Sequence, residues 1–181
     1  MSGIHQPLTS ITLPLPEPAA TEALGRCLGK FARPGDIITL AGDLGAGKTT
    51  LTQAIGRGLA VPDDCYITSP TFALIHEYPG RLPLFHLDLY RLADETEAEE
   101  LGLDDYLYGD GLSVIEWPDR LGSLMPANRL HIELAILSPS SRRATLRPLG
   151  PTWPARLAEL AEQLSSRASI QLRFDKSPDF I

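Results

Sequence analysis

The chain has 181 residues, 43% hydrophobic and 22% charged, which suits one folded domain with a full core and excludes a disordered protein. Twenty-three acidic against sixteen basic side chains give a net charge of −7, which argues against broad nucleic-acid binding by the chain itself, because that requires cationic surface. No stretch approaches the ~18 apolar residues of a membrane span, and MSGIHQPLTSITLPLPEP lacks the regions of a secretory signal, so a cytoplasmic protein without membrane contact is expected.

In chain order, a strand is expected near residues 11–15, followed after Pro14, Pro16 and Pro18 by a helix ending near Ala32, where Pro34 and Gly35 mark a turn. The apolar run DIITLA reads as a strand and TLTQAIGRGLA as a helix ending near Gly58. After the connection VPDDCYITSP, the segments FALIHEY and LPLFHLDLY form two strands joined at Pro79, Gly80 and Arg81, a hairpin signal. A helical patch is expected over 95–108, its acidic run DETEAEE forming a solvated face, then the strand LSVIEW and a helix begun by Pro118. RLHIELAIL and RRATLRPL flank a Ser-Pro-Ser-Ser turn as an antiparallel pair, and residues 154–168 form an amphipathic helix. These elements make one domain over 1–168, with a flexible C-terminal tail over 169–181. Alternating strands and helices predict a three-layer α/β phosphate-loop NTPase fold with a central, mostly parallel sheet and antiparallel additions.

Residues 42–49 read GDLGAGKT, a complete G-x-x-x-x-G-K-[ST] loop between a strand and a helix. Gly42, Gly45 and Gly47 allow positive φ and turn backbone N–H groups inward as an anion nest, and polyphosphate is the ligand that fits. Lys48 supplies a mobile charge for the β- and γ-phosphates, the Thr49 hydroxyl suits Mg²⁺, and Thr50 adds a donor at the helix start. The nucleotide-binding candidate is therefore the stretch comprising Asp43, Gly45, Ala46, Gly47, Lys48, Thr49 and Thr50, with ATP and Mg²⁺ as ligands.

Two carboxylates end apolar strands downstream of the loop. Asp88 shares a strand face with Leu84, His86 and Tyr90 and is a metal candidate beside Thr49. Glu116 ends LSVIE and competes for that role: either one binds the metal or the two divide the work, with Glu116 orienting the attacking water. Lys48, Asp88 and Glu116 are the catalytic candidates, and Thr49, Asp88 and Glu116 the metal candidates. Thr68, Ser69 and Thr71 lie where nucleotide hydrolases keep a segment that senses the γ-phosphate. His76 and His86 read as surface or packing residues, Trp117 as packing over the site or in the core, and Cys27 and Cys65 as thiols without metal-ligand spacing.

Taken together, GDLGAGKTTL, SPTF, HLDLYRL and IEWPDR, in that order, resemble the bacterial TsaE (YjeE) family over roughly residues 14–150. The resemblance implies that Lys48 and Thr49 grip ATP and Mg²⁺, that Thr71 lies in the switch segment, and that Asp88 and Glu116 serve metal and hydrolysis. It also implies that Arg142 lies near the nucleotide and that the segment around Pro16 approaches the base. The implied partners are TsaB and TsaD, with tRNA reached only through them: TsaD modifies adenosine 37, and ATP hydrolysis resets the complex between turnovers.

A small-molecule kinase and a nucleotide-dependent binding module with little turnover are the alternatives to an ATPase. A GTPase is disfavoured, since the lone asparagine, Asn128, sits in ANRL rather than in an N-K-x-D motif.

Overall fold

The structure, a computed structural model, describes residues 8–168 and 173–176. Its strands are β1 (Leu8–Leu15), β2 (Ile37–Ala41), β3 (Ile75–Tyr78), β4 (Leu84–Asp88), β5 (Leu112–Glu116), β6 (Arg129–Ile136), β7 (Arg142–Leu149) and β8 (Arg173–Lys176). Among the described residues they form one sheet in the order β3-β4-β5-β2-β6-β7-β1-β8. β4, β5, β2 and β6 run parallel, while β3 on one side and β7, β1 and β8 on the other add antiparallel pairings. The expected parallel centre with antiparallel additions is what the chain builds.

The central strands read as apolar runs because both their faces are covered, as parallel strands require. All five residues of β5 are buried. The alternation of side chains sorts them into two cores. Ile38, Leu40, Leu112, Val114, Leu130 and Ile132 face α1 (Pro18–Phe31), α2 (Lys48–Gly58) and α5 (Trp153–Ala168). Ile37, Leu87 and Ile115 face the opposite way, toward α3 (Glu95–Glu100), α4 (Asp104–Leu107) and a 3₁₀ segment (Pro118–Leu124). The result is three layers around one sheet.

The differences from the sequence reading have local causes. The patch over 95–108 breaks into α3 and α4 because Gly102 adopts φ 61° just after α3. Asp94 caps α3 by accepting from the Thr96 and Glu97 N–H groups. The helix expected from Pro118 is a 3₁₀ segment interrupted at Gly122, φ 50°. FALIHEY becomes strand only at Ile75, because Leu74 stands at φ 66°. Of the expected C-terminal tail, residues 173–176 are described, and they pair with β1 as edge strand β8; residues 169–172 and 177–181 lie outside the described residues.

α1 and α2 approach closely enough to require glycine. A Cβ on Gly29 would run into the Ile55 carbonyl and lie 2.8 Å from the Gly58 Cα. This contact fixes the helix whose first turn carries the phosphate loop. A second anchor is the buried pair of Asp36, just before β2, and Arg156 of α5, joined at 2.5 and 2.8 Å, with the guanidinium over the Phe31 and Trp153 rings. Gly29→Ala is expected to lower stability by about 1–3 kcal/mol through overpacking. Urea denaturation checks this, and an unchanged midpoint would mean that α2 can move away without cost.

Candidate nucleotide site

The phosphate loop leaves the C-terminal end of β2, a central strand, and enters α2. Gly42, Gly45 and Gly47 stand at φ 142°, 81° and 99°, the positive values expected of them. Their surroundings separate their roles. A Cβ on Gly42 would strike the Leu134 carbonyl at the end of β6, so that glycine lets the loop pack on the sheet. Cβ atoms on Gly45 and Gly47 would meet nothing within 4 Å, so there the loop faces open space. Gly47 is the N-cap of α2 and no side chain caps that helix end. The N–H groups of the first turn and the positive end of the helix dipole are thus left for an external anion.

Lys48 is 5% exposed. Its ammonium donates to the Gly42 and Asp43 carbonyls at 2.8 and 3.0 Å and lies 4.2 Å from the centre of the Trp117 ring. Burial pushes its pKa below the usual lysine value, opposed by the charges of Glu116, Asp88 and Asp43. Trp117 is held at φ 58°, an uncommon value for a bulky residue, and its ring packs on Tyr90 at 4.9 Å between centroids. The indole is thereby placed at the site rather than simply in the core.

Asp88 and Glu116 end neighbouring parallel strands and are register partners. Each is 3% exposed. Glu116 Oε1 accepts from the Thr49 hydroxyl at 3.0 Å, so the carboxylate beside the loop threonine is Glu116. Asp88 faces the connecting segment: its Oδ2 accepts from the hydroxyls of Ser69 and of Thr71, the latter at 2.8 Å, and its Oδ1 accepts from the Tyr90 N–H at 3.1 Å. The Ser69 and Thr71 hydroxyls also lie 2.6 Å apart. One carboxylate therefore meets the phosphate loop and the other meets the expected switch segment.

These groups converge on one cleft of about 400 Å³, within the size range of small-molecule sites. Gly45, Gly47, Lys48, Thr49, Thr50, Thr71, Asp88 and Glu116 all line it, with Ser69, Tyr90 and Trp117. Three sequence candidates, Asp43, Ala46 and Arg142, are not among the lining residues. Asp43 closes the loop through its carbonyl, which accepts from the Ala46 N–H, and Ala46 is buried. Arg142, at the start of β7, donates to the Ala46 and Gly45 carbonyls at 3.1 and 3.2 Å and to Ser138 and Ser141 carbonyls at 2.8 and 2.9 Å. It braces the loop from outside.

His86, expected as a surface or packing residue, belongs to the carboxylate cluster. It is fully buried, and its Nε2 lies 2.8 Å from Glu116 Oε1. The available signal was its position two residues before Asp88 on the same strand face, a polar side chain inside an otherwise apolar run. His76, the register partner of His86 on β3, lies 3.1 Å from the Tyr78 hydroxyl.

A central parallel strand delivering a glycine loop to a helix, with acids at the ends of the adjoining strands, defines a phosphate-loop NTPase fold. Residues 15–144 match the family model described as "Threonylcarbamoyl adenosine biosynthesis protein TsaE". The chain belongs to the TsaE family. It is 40% identical to the tRNA threonylcarbamoyladenosine biosynthesis protein TsaE of Bacillus subtilis, over 84% of this chain and 92% of that one. It is 42% identical to the protein of the same name from a Nostoc species, over 76% and 86%. A crystal structure of Bacillus subtilis YdiB superimposes with a TM-score of 0.72 at 34% identity, covering 88% of this chain and 96% of the other. Among the described residues no helix is long and apolar enough to cross a membrane.

The lowered Lys48 pKa has a consequence for ligand binding. If the cleft holds a polyphosphate, its charge favours the ammonium, and ATP affinity should then fall as pH rises through the pKa of the ligand-free lysine, up to about tenfold per pH unit above it. Because the shift is downward, the loss begins at lower pH than a surface lysine would cause. Titrating ATP at pH values from ~7 to ~10 checks this against the usual lysine range, and a constant Kd would contradict it.

Proposed function

We propose that the protein is a magnesium-dependent ATPase subunit acting in the formation of threonylcarbamoyladenosine at adenosine 37 of tRNA. On this reading it hydrolyses ATP to drive or reset a complex of TsaB and TsaD in the cytoplasm, and it meets tRNA only through that complex. The observation that carries the reading is the convergence of Lys48, Thr49, Asp88 and Glu116 on a cleft whose floor is an uncapped helix N-terminus. A polyphosphate would satisfy both that helix end and a buried ammonium.

The residues also suit the metal. A threonine hydroxyl and carboxylates form a hard oxygen set, which Mg²⁺ prefers when shared with nucleotide phosphates. Thr49 and Glu116 would hold it, with Asp88 as their neighbour, and it would neutralise charge on the β- and γ-phosphates. Lys48 exchanges its bonds to the Gly42 and Asp43 carbonyls for phosphate oxygens. Glu116 orients a water toward the γ-phosphorus; the new oxygen–phosphorus bond forms as the bond to the bridging oxygen breaks, releasing ADP and phosphate. Thr71 and Ser69, tied to Asp88, form the segment that senses the γ-phosphate.

Turnover of the protein alone is slow on this account, because Arg142 is committed to backbone carbonyls and Arg91 stacks on Phe72. A partner that supplies a cation to the cleft would accelerate it, a contribution worth on the order of 10³–10⁵ in related phosphoryl transfers. The exposed apolar side chains Leu44, which lines the cleft, and Phe72, next in sequence to the lining residue Thr71, favour a protein partner here.

Phosphate release should rise strongly when TsaB and TsaD are added together, and equal rates with and without them would count against partner-driven turnover. Glu116→Ala should retain nucleotide binding by calorimetry while losing hydrolysis by at least about 100-fold. Parental turnover in that variant would move the water-orienting role elsewhere.

A further inference from the structure

We propose that His86 is a positioning residue that fixes the Glu116 carboxylate for its work in the cleft. The inference rests on the role assigned to Glu116 above. His86 lies on β4, whose register sets it beside Val114 of β5, and it shares the α2-facing side of the sheet with Leu84 and Asp88. Its side chain is 0% exposed, in a place where a leucine would be the simpler packing choice.

The hydrogen bonding shows what the imidazole is for. Nε2 lies 2.8 Å from Glu116 Oε1, hydrogen-bonding distance for a ring N–H donating to a carboxylate oxygen. Nδ1 is buried and has no hydrogen-bond partner among the described residues. A proton at Nδ1 would meet no acceptor there, so the geometry places the ring's N–H donor at Nε2, facing Glu116. A buried ring nitrogen left unpaired is a cost that an apolar residue would avoid. The Nε2 contact to Glu116 offsets it.

That contact constrains the carboxylate. Oε1 accepts from His86 on one side and from the Thr49 hydroxyl, at 3.0 Å, on the other. Two donors on a single oxygen define the rotation of the carboxylate, and Oε2 takes part in neither bond. Glu116 lines the cleft, so the oxygen outside both bonds is the one available to a ligand or water. Without His86 only the threonine contact remains, and the glutamate can rotate about its last torsion, which is broad.

The test compares His86→Leu and His86→Gln with the parent and with Glu116→Gln. His86→Leu should lower kcat by about 10- to 100-fold, the usual cost of losing a supporting contact of this kind, while KM for ATP and the Kd for ADP change little. His86→Gln keeps an N–H donor toward Glu116 and should recover most of the turnover. Long-range ¹⁵N–¹H spectra of the parent protein supply a readout independent of activity, expected to show the Nε2–H tautomer at His86 and a displaced signal in Glu116→Gln. Parental kcat in a folded His86→Leu, or an Nδ1–H tautomer, would overturn the proposal. A parent with no ATPase activity, alone or with partners, would instead sink the functional reading above, and the tautomer would still decide the His86 contact.

Discussion

Three charges, Lys48, Asp88 and Glu116, are almost entirely withdrawn from water around one cleft, and each needs compensation where it sits. The rest of the site follows from how this is met. The ammonium is satisfied by two loop carbonyls and an indole face, Glu116 by a hydroxyl and an imidazole, and Asp88 by two hydroxyls and a backbone N–H. Of these partners, His86 is a side chain wholly buried in the core.

The sheet makes this arrangement inevitable once the strands are ordered. β2, β4 and β5 run parallel, so the loop and both acids emerge at the same end, and the pleat turns His86, Asp88 and Glu116 toward α2. α2 is held in turn by glycine contacts with α1, while Arg142 from β7 grips the back of the loop. Stability and site geometry are therefore coupled: displacement of α2 or β7 would move the nest relative to the carboxylates. Asp88 and Glu116 divide their attention, one toward the switch segment and one toward Thr49.

Much of this was legible in the residues because the signals are local. The glycine pattern specifies its own backbone, the apolar runs of β2 and β5 declare two covered faces, and carboxylates at strand ends are visible by counting. What escaped depends on side chains brought together from distant positions. FHLD marks His86 as a polar side chain on the Asp88 face but does not name its partner, a glutamate thirty residues away reached only through the β4–β5 register. Likewise the contacts of Arg142 with the Gly45 and Ala46 carbonyls join residues almost a hundred apart. The boundaries that shifted, at Leu74, Gly102 and Gly122, lie where one residue takes a left-handed or irregular conformation that periodicity does not register.

If this cluster of buried charge is built for a metal-bound polyphosphate, ATP affinity depends on the metal. With two carboxylates lining the cleft, bare triphosphate meets repulsion that one lysine and a helix end only partly offset. Calorimetric titration of ATP should give binding at least about tenfold tighter in magnesium than in chelator. Equal affinity in the two conditions, or no binding in either, would contradict the account.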